Sequence, residues 1–127
     1  MIFGIGTDIV SVARMSRALE RHGERFAERL LAEPERADYG RSSHPAHFLA
    51  KRFAAKEAAA KALGTGFSQG ISLHDIRVEH DALGRPLLGF EGCAQERLDA
   101  CGIGQHFLSL ADEREYAIAY VTLLLRS

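Results

Sequence analysis

The chain has 127 residues, of which 46% are hydrophobic and 26% are charged, and its formal net charge is −1. This length predicts a single domain over residues 1–127, and the near-zero net charge disfavours a general nucleic-acid-binding protein. The two cysteines, Cys93 and Cys101, lack the spacing of a zinc site or a disulfide framework. The apolar start has no basic residue before Asp8, and no apolar run is long enough to span a membrane. We therefore expect a soluble, cytoplasmic protein without a membrane or nucleic-acid partner.

The chain opens with a strand pattern, MIFGIGTDIV, in which Gly4 and Gly6 leave room for another backbone or for a ligand. Asp8 follows at the end of this apolar run. Two roles are open for its carboxylate. It would either cap the next helix or serve as a ligand held at the end of a strand.

Residues 11–31 are predicted to form one helix, with Ser11 as its N-cap. At about 100° per residue, apolar side chains gather on one face and arginines on nearly the opposite face. The apolar face comprises Val12, Met15, Leu19, Phe26 and Leu30, and the arginine stripe comprises Arg14, Arg17, Arg21 and Arg25. A charged face is usually only solvated, but a stripe of arginine in a nearly neutral protein equally suggests a docking surface for an acidic partner.

Residues 32–46 contain two prolines, a glycine and two serines, and are predicted to form a loop with one helical turn. The next stretch, FLAKRFAAKEAAAKALGTG at 48–66, favours helix strongly until Gly64, which suits a C-terminal cap. Glu57 and Lys61 lie four residues apart and therefore point the same way. Small residues beside them leave room for a close neighbour: Ala50, Ala54, Ala58 and Ala62.

Spaced apolar residues between 71 and 78 predict a strand, and the turn at 82–86 leads to a second short strand at 87–90. A third, short helix is predicted over 91–102, ended by Gly102. The strands HFLSLAD and YAIAYVTLLL follow, joined by a charged turn. The order β-α-α-β-β-α-β-β, with mostly hairpin-type links, predicts an α+β fold in which a largely antiparallel sheet packs against the long central helix.

The carboxylates of Asp8 and Glu57 would meet if the first strand ran beside the central helix. Two such charges about 4 Å apart repel by about 4 kcal/mol at an effective dielectric near 20, so one must be protonated or a cation must lie between them. Mg²⁺ takes oxygen ligands and commonly completes its shell with substrate phosphates. Lys61 and the backbone N–H groups of the turn at 64–66 would face the same phosphates. On that condition the pattern predicts phosphoryl-type transfer; otherwise Glu57 and Lys61 form an ordinary surface pair.

Three stretches, GIGTDIV at 4–10, the central motif at 48–66 and LGRP at 83–86, resemble the holo-[acyl-carrier-protein] synthases in order and spacing. These are the small bacterial 4′-phosphopantetheinyl transferases. The resemblance implies transfer of 4′-phosphopantetheine from coenzyme A to a serine of apo-acyl carrier protein in fatty acid biosynthesis, with release of adenosine 3′,5′-bisphosphate. It also implies a homotrimer with three sites between neighbouring subunits.

By the same resemblance, Asp8 and Glu57 match the magnesium ligands. Lys61 matches the lysine that contacts the phosphate and protonates or neutralises the leaving group. The residues expected to contact coenzyme A are Arg52, Lys61, Gly64, Thr65, Gly66 and Pro86. The residues expected to grip the acidic second helix of the carrier protein are Arg14, Arg21 and Arg25.

One position departs from the family pattern. Many members have Ser-x-[Ser/Thr]-His on the penultimate strand, where this chain has aspartate, Asp112, in place of the histidine. The change removes one candidate general base, so the resemblance leaves a metal-held water or Asp8 to take the proton of the serine. Among the histidines, His47 is the best placed to touch the coenzyme.

Two other functions are open. A non-catalytic module that binds the carrier protein would use the arginine stripe but would not need the pair Asp8 and Glu57. A magnesium-dependent transferase acting on another nucleotide substrate would leave the arginine stripe without a purpose.

Overall fold

The computed structural model describes residues 1–127 and contains five strands and five α-helices. In chain order these are β1 (Ile2–Ser11), α1 (Val12–His22), α2 (Glu24–Leu30), α3 (Glu33–Gly40), α4 (Pro45–Leu63), a 3₁₀ turn (Leu73–Asp75), β2 (Ile76–His80), β3 (Pro86–Phe90), α5 (Gly92–Ala100), β4 (Ile103–Asp112) and β5 (Tyr116–Leu125). Strands β1, β5 and β4 form an antiparallel sheet with β5 in the middle, and β2 and β3 form an antiparallel hairpin. The α+β class, the antiparallel pairing and the long central helix, α4, are therefore confirmed. None of the helices combines the length and hydropathy needed to cross a membrane.

Helix α4 packs directly on the backbone of β1. A Cβ atom at Gly6 would overlap the carbonyl oxygen of Ala58, and one at Gly4 would overlap that of Ala62. Both alanines are buried. The space predicted beside Gly4 and Gly6 is therefore filled by the helix, and this close approach places β1 next to the middle and end of α4.

The prediction of one continuous helix over residues 11–31 is wrong at its centre. Gly23 has φ +59° and ψ −144°, a conformation that glycine adopts readily, and it separates α1 from α2. Ser11 caps α1 as predicted, because its hydroxyl accepts a hydrogen bond from the backbone N–H of Arg14 at 3.2 Å. The apolar face continues across the break, since Met15 and Leu30 are both buried.

Residues 32–46, predicted as a loop with one turn, contain the eight-residue helix α3. Pro34 lies in its first turn, where the missing N–H costs no intrahelical hydrogen bond. Glu35 accepts a hydrogen bond from the backbone N–H of Ala32 at 2.9 Å, which caps the helix. The strand predicted from residue 71 is also shorter than expected, because a 3₁₀ turn precedes β2. The chain thus has four helices before β2 instead of two.

The two faces of the larger sheet differ in solvation. The inner face packs on α4, with Ala119 and Val121 fully buried. The outer sheet face is more than half exposed at four large apolar side chains: Ile5, Ile9, Phe107 and Tyr120.

Candidate active site

Asp8 projects from β1 toward α4, because it shares a strand face with Gly6. The ammonium of Lys61 donates to Oδ1 of Asp8 at 2.9 Å and to the carbonyl of Thr7 at 3.1 Å. The side chain of Asp8 is 17% exposed and that of Lys61 is 52% exposed. Strand β1 therefore runs beside α4, which is the condition that the predicted site required. Since Ser11 caps α1, the alternative role of Asp8 as the cap is excluded.

Glu57 lies one helical turn before Lys61 and is half-buried. Burial raises the pKa of the Glu57 carboxyl, and the nearby charge of Asp8 raises this pKa further. Lys61 and Arg14 act in the opposite direction on the same pKa. Lys61 forms its ion pair with Asp8 and not with Glu57, so the surface pair considered from the sequence does not form. Asp8, Glu57 and Lys61 are hereafter called the exposed cluster.

The two carboxylates of the exposed cluster fit a divalent cation. Burial is the larger cause of the raised pKa of Glu57, and a cation bound to both carboxylates would offset the second cause, the charge of Asp8. No group of three His, Cys, Asp or Glu side chains is placed to hold a metal ion. A cation held by Asp8 and Glu57 alone would take most of its coordination shell from water and phosphate oxygens, which is the arrangement that Mg²⁺ prefers to an all-protein cage.

The turn that follows α4 is held close to Lys61. Gly64 has φ +84° and caps the helix, with its N–H donating to the carbonyl of Lys61 at 3.0 Å. The N–H of Gly66 donates to the carbonyl of Ala60 at 3.1 Å. The hydroxyl of Thr65 donates to the carbonyl of Gly66 at 2.8 Å. The predicted residues Gly64, Thr65 and Gly66 thus form a fixed turn next to the exposed cluster.

Arg52 and Pro86 do not join this cluster within one chain. Arg52 is only 4% exposed, and its guanidinium donates to Glu35 at 3.0 Å and to the carbonyl of Val78 at 3.3 Å. Arg52 lies nine residues before Lys61, which is about 13 Å along a helix axis. Pro86 begins β3, in the separate hairpin. In the single chain the guanidinium of Arg52 is therefore engaged by a buried carboxylate, and its contact with coenzyme A stays a prediction.

The predicted docking residues Arg14 and Arg21 are exposed on α1, and Arg25 is exposed on α2. None of the three takes part in an ion pair within the chain. Arg14 is close enough to Glu57 to lower the pKa of that carboxyl. The arginine stripe therefore begins beside the exposed cluster, a connection that sequence spacing alone had not revealed.

A polar cavity of about 400 Å³ lies between the start of α4 and the turn that joins β4 to β5. It is lined by His44, His47, Lys51, Asp112 and Arg114. The predicted candidate His47 thus shares a cavity with Asp112, the residue that replaces the family histidine. Sequence analysis missed this cavity because its lining comes from segments more than 60 residues apart. Only the first segment, with His44, His47 and Lys51, has an excess of basic side chains.

Comparison with known proteins gives a consistent result. Residues 4–121 match the sequence model of the 4′-phosphopantetheinyl transferase superfamily. A holo-[acyl-carrier-protein] synthase of Halorhodospira halophila is 60% identical over 124 residues, which cover 98% of both chains. The crystal structure of holo-[acyl-carrier-protein] synthase from Neisseria meningitidis superposes with a TM-score of 0.91 at 43% identity, covering 98% of this chain and 99% of that one. A holo-(acyl-carrier-protein) synthase from Bacillus anthracis in complex with CoA (3′,5′-ADP) superposes with a TM-score of 0.82 at 36% identity, covering 99% of each chain.

Proposed function

The chain belongs to the 4′-phosphopantetheinyl transferase superfamily, and from this membership we propose that it moves 4′-phosphopantetheine from coenzyme A to a serine of apo-acyl carrier protein. The products are holo-acyl carrier protein and adenosine 3′,5′-bisphosphate. The observation that carries the proposal is the exposed cluster, which occurs in a chain 60% identical to a holo-[acyl-carrier-protein] synthase over nearly its whole length. We place the reaction in the cytoplasm and in fatty acid biosynthesis.

The carboxylates of Asp8 and Glu57 would hold Mg²⁺, and the bound ion would supply positive charge to the pyrophosphate of coenzyme A. The support for this assignment is the pair of oxygen donors and the raised pKa of Glu57, which burial and the charge of Asp8 produce together. Both groups come from elements fixed by the close packing of β1 on α4.

The ammonium of Lys61 is accessible to the phosphate group that leaves during transfer. Its side chain is half exposed, and its ammonium is held only by Asp8 and the carbonyl of Thr7. During transfer, the serine oxygen bonds to the phosphorus that carries pantetheine, and the bond from that phosphorus to the nucleotide breaks. Lys61 neutralises or protonates the oxygen that leaves. Among the residues of this chain, Asp8 is the base that we assign to the serine proton, since Asp112 stands where many members have histidine.

The arginine stripe supplies the docking surface for the carrier protein. Arg14, Arg21 and Arg25 are exposed and have no partners within the chain, so their charges are free to attract an acidic helix. Because Arg14 lies beside Glu57, a carrier protein bound there would present its serine to the exposed cluster.

The pyrophosphate of coenzyme A would contact Lys61 and the turn formed by Gly64, Thr65 and Gly66. The polar cavity of His44, His47, Lys51, Asp112 and Arg114 suits a further phosphate group, because most of its lining is basic. Pro86 and this cavity would contribute to the site of a neighbouring subunit in a homotrimer.

The outer sheet face supports such an assembly. Its four large apolar side chains, Ile5, Ile9, Phe107 and Tyr120, are more than half exposed in the single chain. Large contiguous apolar surface of this kind usually marks an interface. Covering it by further copies of the chain would remove the apolar area from water.

The decisive experiment is mass spectrometry of apo-acyl carrier protein after incubation with this protein, Mg²⁺ and coenzyme A. The carrier protein should gain the mass of one phosphopantetheine arm, and a carrier whose acceptor serine is replaced by alanine should gain nothing. A carrier that binds the protein but gains no mass at saturating coenzyme A would instead establish the non-catalytic binding module.

A further inference from the structure

Three charged side chains are buried together on the side of α4 that faces away from the exposed cluster. Glu35 is 1% exposed, Arg52 is 4% exposed and Lys56 is fully buried. No other polar or charged residue of the chain is buried to this degree. Glu35, Arg52 and Lys56 are hereafter called the buried cluster.

The carboxylate of Glu35 joins three elements. Its Oε1 accepts hydrogen bonds from the backbone N–H of Ala32 at 2.9 Å and from the ammonium of Lys56 at 2.6 Å. Its Oε2 accepts from the guanidinium of Arg52 at 3.0 Å and from the backbone N–H of Val78 at 3.1 Å. One side chain therefore links α3, α4 and β2.

Lys56 uses every hydrogen that its ammonium can donate. Besides Glu35, it bonds to the carbonyl of Leu73 at 2.9 Å and to that of Ile76 at 2.7 Å. An ammonium has three donors, so none is left for a substrate. Lys56 thus links α4 to the start of β2 and has a structural role, although it directly precedes the candidate site residue Glu57 in the sequence.

Successive residues of α4 are about 100° apart around the helix axis, so side chains at different positions make contacts on three separate faces. Arg52 and Lys56 hold the first face to Glu35 and β2. Ala58 and Ala62 lie on the second face, against the backbone of β1. The third face carries Glu57 and Lys61. The first two faces are fixed, so the direction of the third is determined by them.

We propose that the buried cluster is a positioning device, which fixes the rotation of α4 about its own axis and thereby aims the Glu57 carboxylate at Asp8. Side chains end about 5–6 Å from a helix axis, so a rotation of about 10° would move that carboxylate by about 1 Å. A displacement of this size costs up to about 100-fold in rate when it separates reacting groups.

The inference rests on the proposed transferase activity, and Lys56→Met tests it. Methionine fills a similar volume, and Glu35 keeps Arg52 as its charged partner. The matched control is Ile103→Ala, which truncates a buried side chain at the far end of the sheet. Ile103 pairs with Leu125 and Asp8 with Ala119, a separation of about 20 Å along β5. Both variants should lower the urea midpoint of unfolding.

We expect Lys56→Met to lower kcat at least tenfold, to weaken calorimetric Mg²⁺ binding in the presence of coenzyme A, and to leave KM for the carrier protein unchanged. Ile103→Ala should keep kcat. Equal kcat values in the two folded variants would overturn the inference, whereas an inactive wild-type protein would instead remove the transferase function. If Lys56→Met does not fold, the milder Lys56→Gln takes its place, and wild-type kcat and Mg²⁺ affinity in that variant would overturn the inference equally.

Discussion

The buried cluster and the exposed cluster each take two side chains from α4, and both combine carboxylates with cations, yet they differ in how completely their polar groups are paired. Every buried polar side-chain atom of the protein has a hydrogen-bond partner, including those of Glu35 and Lys56. In the exposed cluster Lys61 is paired with Asp8, while Glu57 takes part in no hydrogen bond or ion pair of its side chain. The buried cluster therefore has no free polar group for a ligand, whereas the exposed cluster has the unpaired carboxylate of Glu57.

The ratio of carboxylates to cations in each cluster also indicates that only the exposed cluster can bind a further cation. The buried cluster has one carboxylate for two cations, and burial lowers the pKa of Lys56 while Glu35 raises it. The exposed cluster has two carboxylates for one ammonium, and both burial and Asp8 raise the pKa of Glu57. Binding of a further cation is therefore disfavoured at the buried cluster and favoured at the exposed cluster. The structural role of the buried cluster and the candidate functional role of the exposed cluster therefore differ because their residues lie on different faces of α4.

Replacing Glu57 by glutamine should break the exposed cluster with the largest effect. A neutral amide binds Mg²⁺ poorly, so turnover should fall at least a thousandfold, on the order of 4 kcal/mol of transition-state stabilisation. The fold should remain intact or become more stable, because an ionised Glu57 is disfavoured in the folded chain. Mass spectrometry of the carrier protein and urea unfolding measure the two effects.

The matched control for this change is Glu96→Gln, which neutralises an exposed carboxylate on α5 that forms no ion pair. It should leave both turnover and stability as they are. Turnover in Glu57→Gln comparable to that of the control would remove Glu57 from the candidate metal site.

Glu35→Gln should break the buried cluster with the opposite outcome. It leaves the buried cations Arg52 and Lys56 without their carboxylate, and loss of one partner of a buried ion pair commonly costs about 3–5 kcal/mol. Urea unfolding should therefore show a large loss of stability, whereas Glu57→Gln shows none. Equal stability of the two variants would mean that the two clusters do not differ in the way their burial indicates.

The sequence revealed the exposed cluster more readily than the buried one, for a physical reason. Asp8, Glu57 and Lys61 lie in glycine-containing and alanine-rich stretches whose spacing is visible in the chain. Glu35 lies in a stretch whose prolines and serines predicted a loop, so its place in α3 was missed. The signal available was the pair Arg52 and Lys56, two cations one turn apart on a helix rich in alanine.

The elements themselves follow the same rule. Hydrophobic periodicity and the cap at Gly64 located α4 and every strand except β2 well, because these features are local. The break at Gly23 was missed because the apolar face continues across it, as the burial of Met15 and Leu30 shows. The ion pair of Arg52 was missed because the partner of its guanidinium, Glu35, lies 17 residues away in the sequence.

Reversing charges in the arginine stripe should have a smaller effect, confined to the carrier protein. Arg14→Glu and Arg21→Glu should each raise KM for the carrier protein about tenfold, or about 1.4 kcal/mol, since exposed charges act mainly on encounter. KM for coenzyme A should stay the same, and added salt should reduce the difference from wild type. Arg126→Glu, a reversal at an exposed site on the last residues of the chain, is the control. Equal increases in KM for both substrates would indicate that the stripe is a subunit contact.

The smallest expected effect is the pH dependence of stability that Glu57 produces. Burial and Asp8 raise the pKa of Glu57 in the folded chain above its value in the unfolded chain. Between these two values the folded state binds more protons, so the free energy of unfolding falls as pH rises. The contribution of Glu57 is fully present below the unfolded pKa and is lost once pH passes the folded pKa. Wild type should therefore lose stability relative to Glu57→Gln as urea unfolding is repeated from acidic to neutral pH. A constant difference between the two across that range would mean that Glu57 is neither desolvated nor close to Asp8, and the contrast between the two clusters would then rest on the buried one alone.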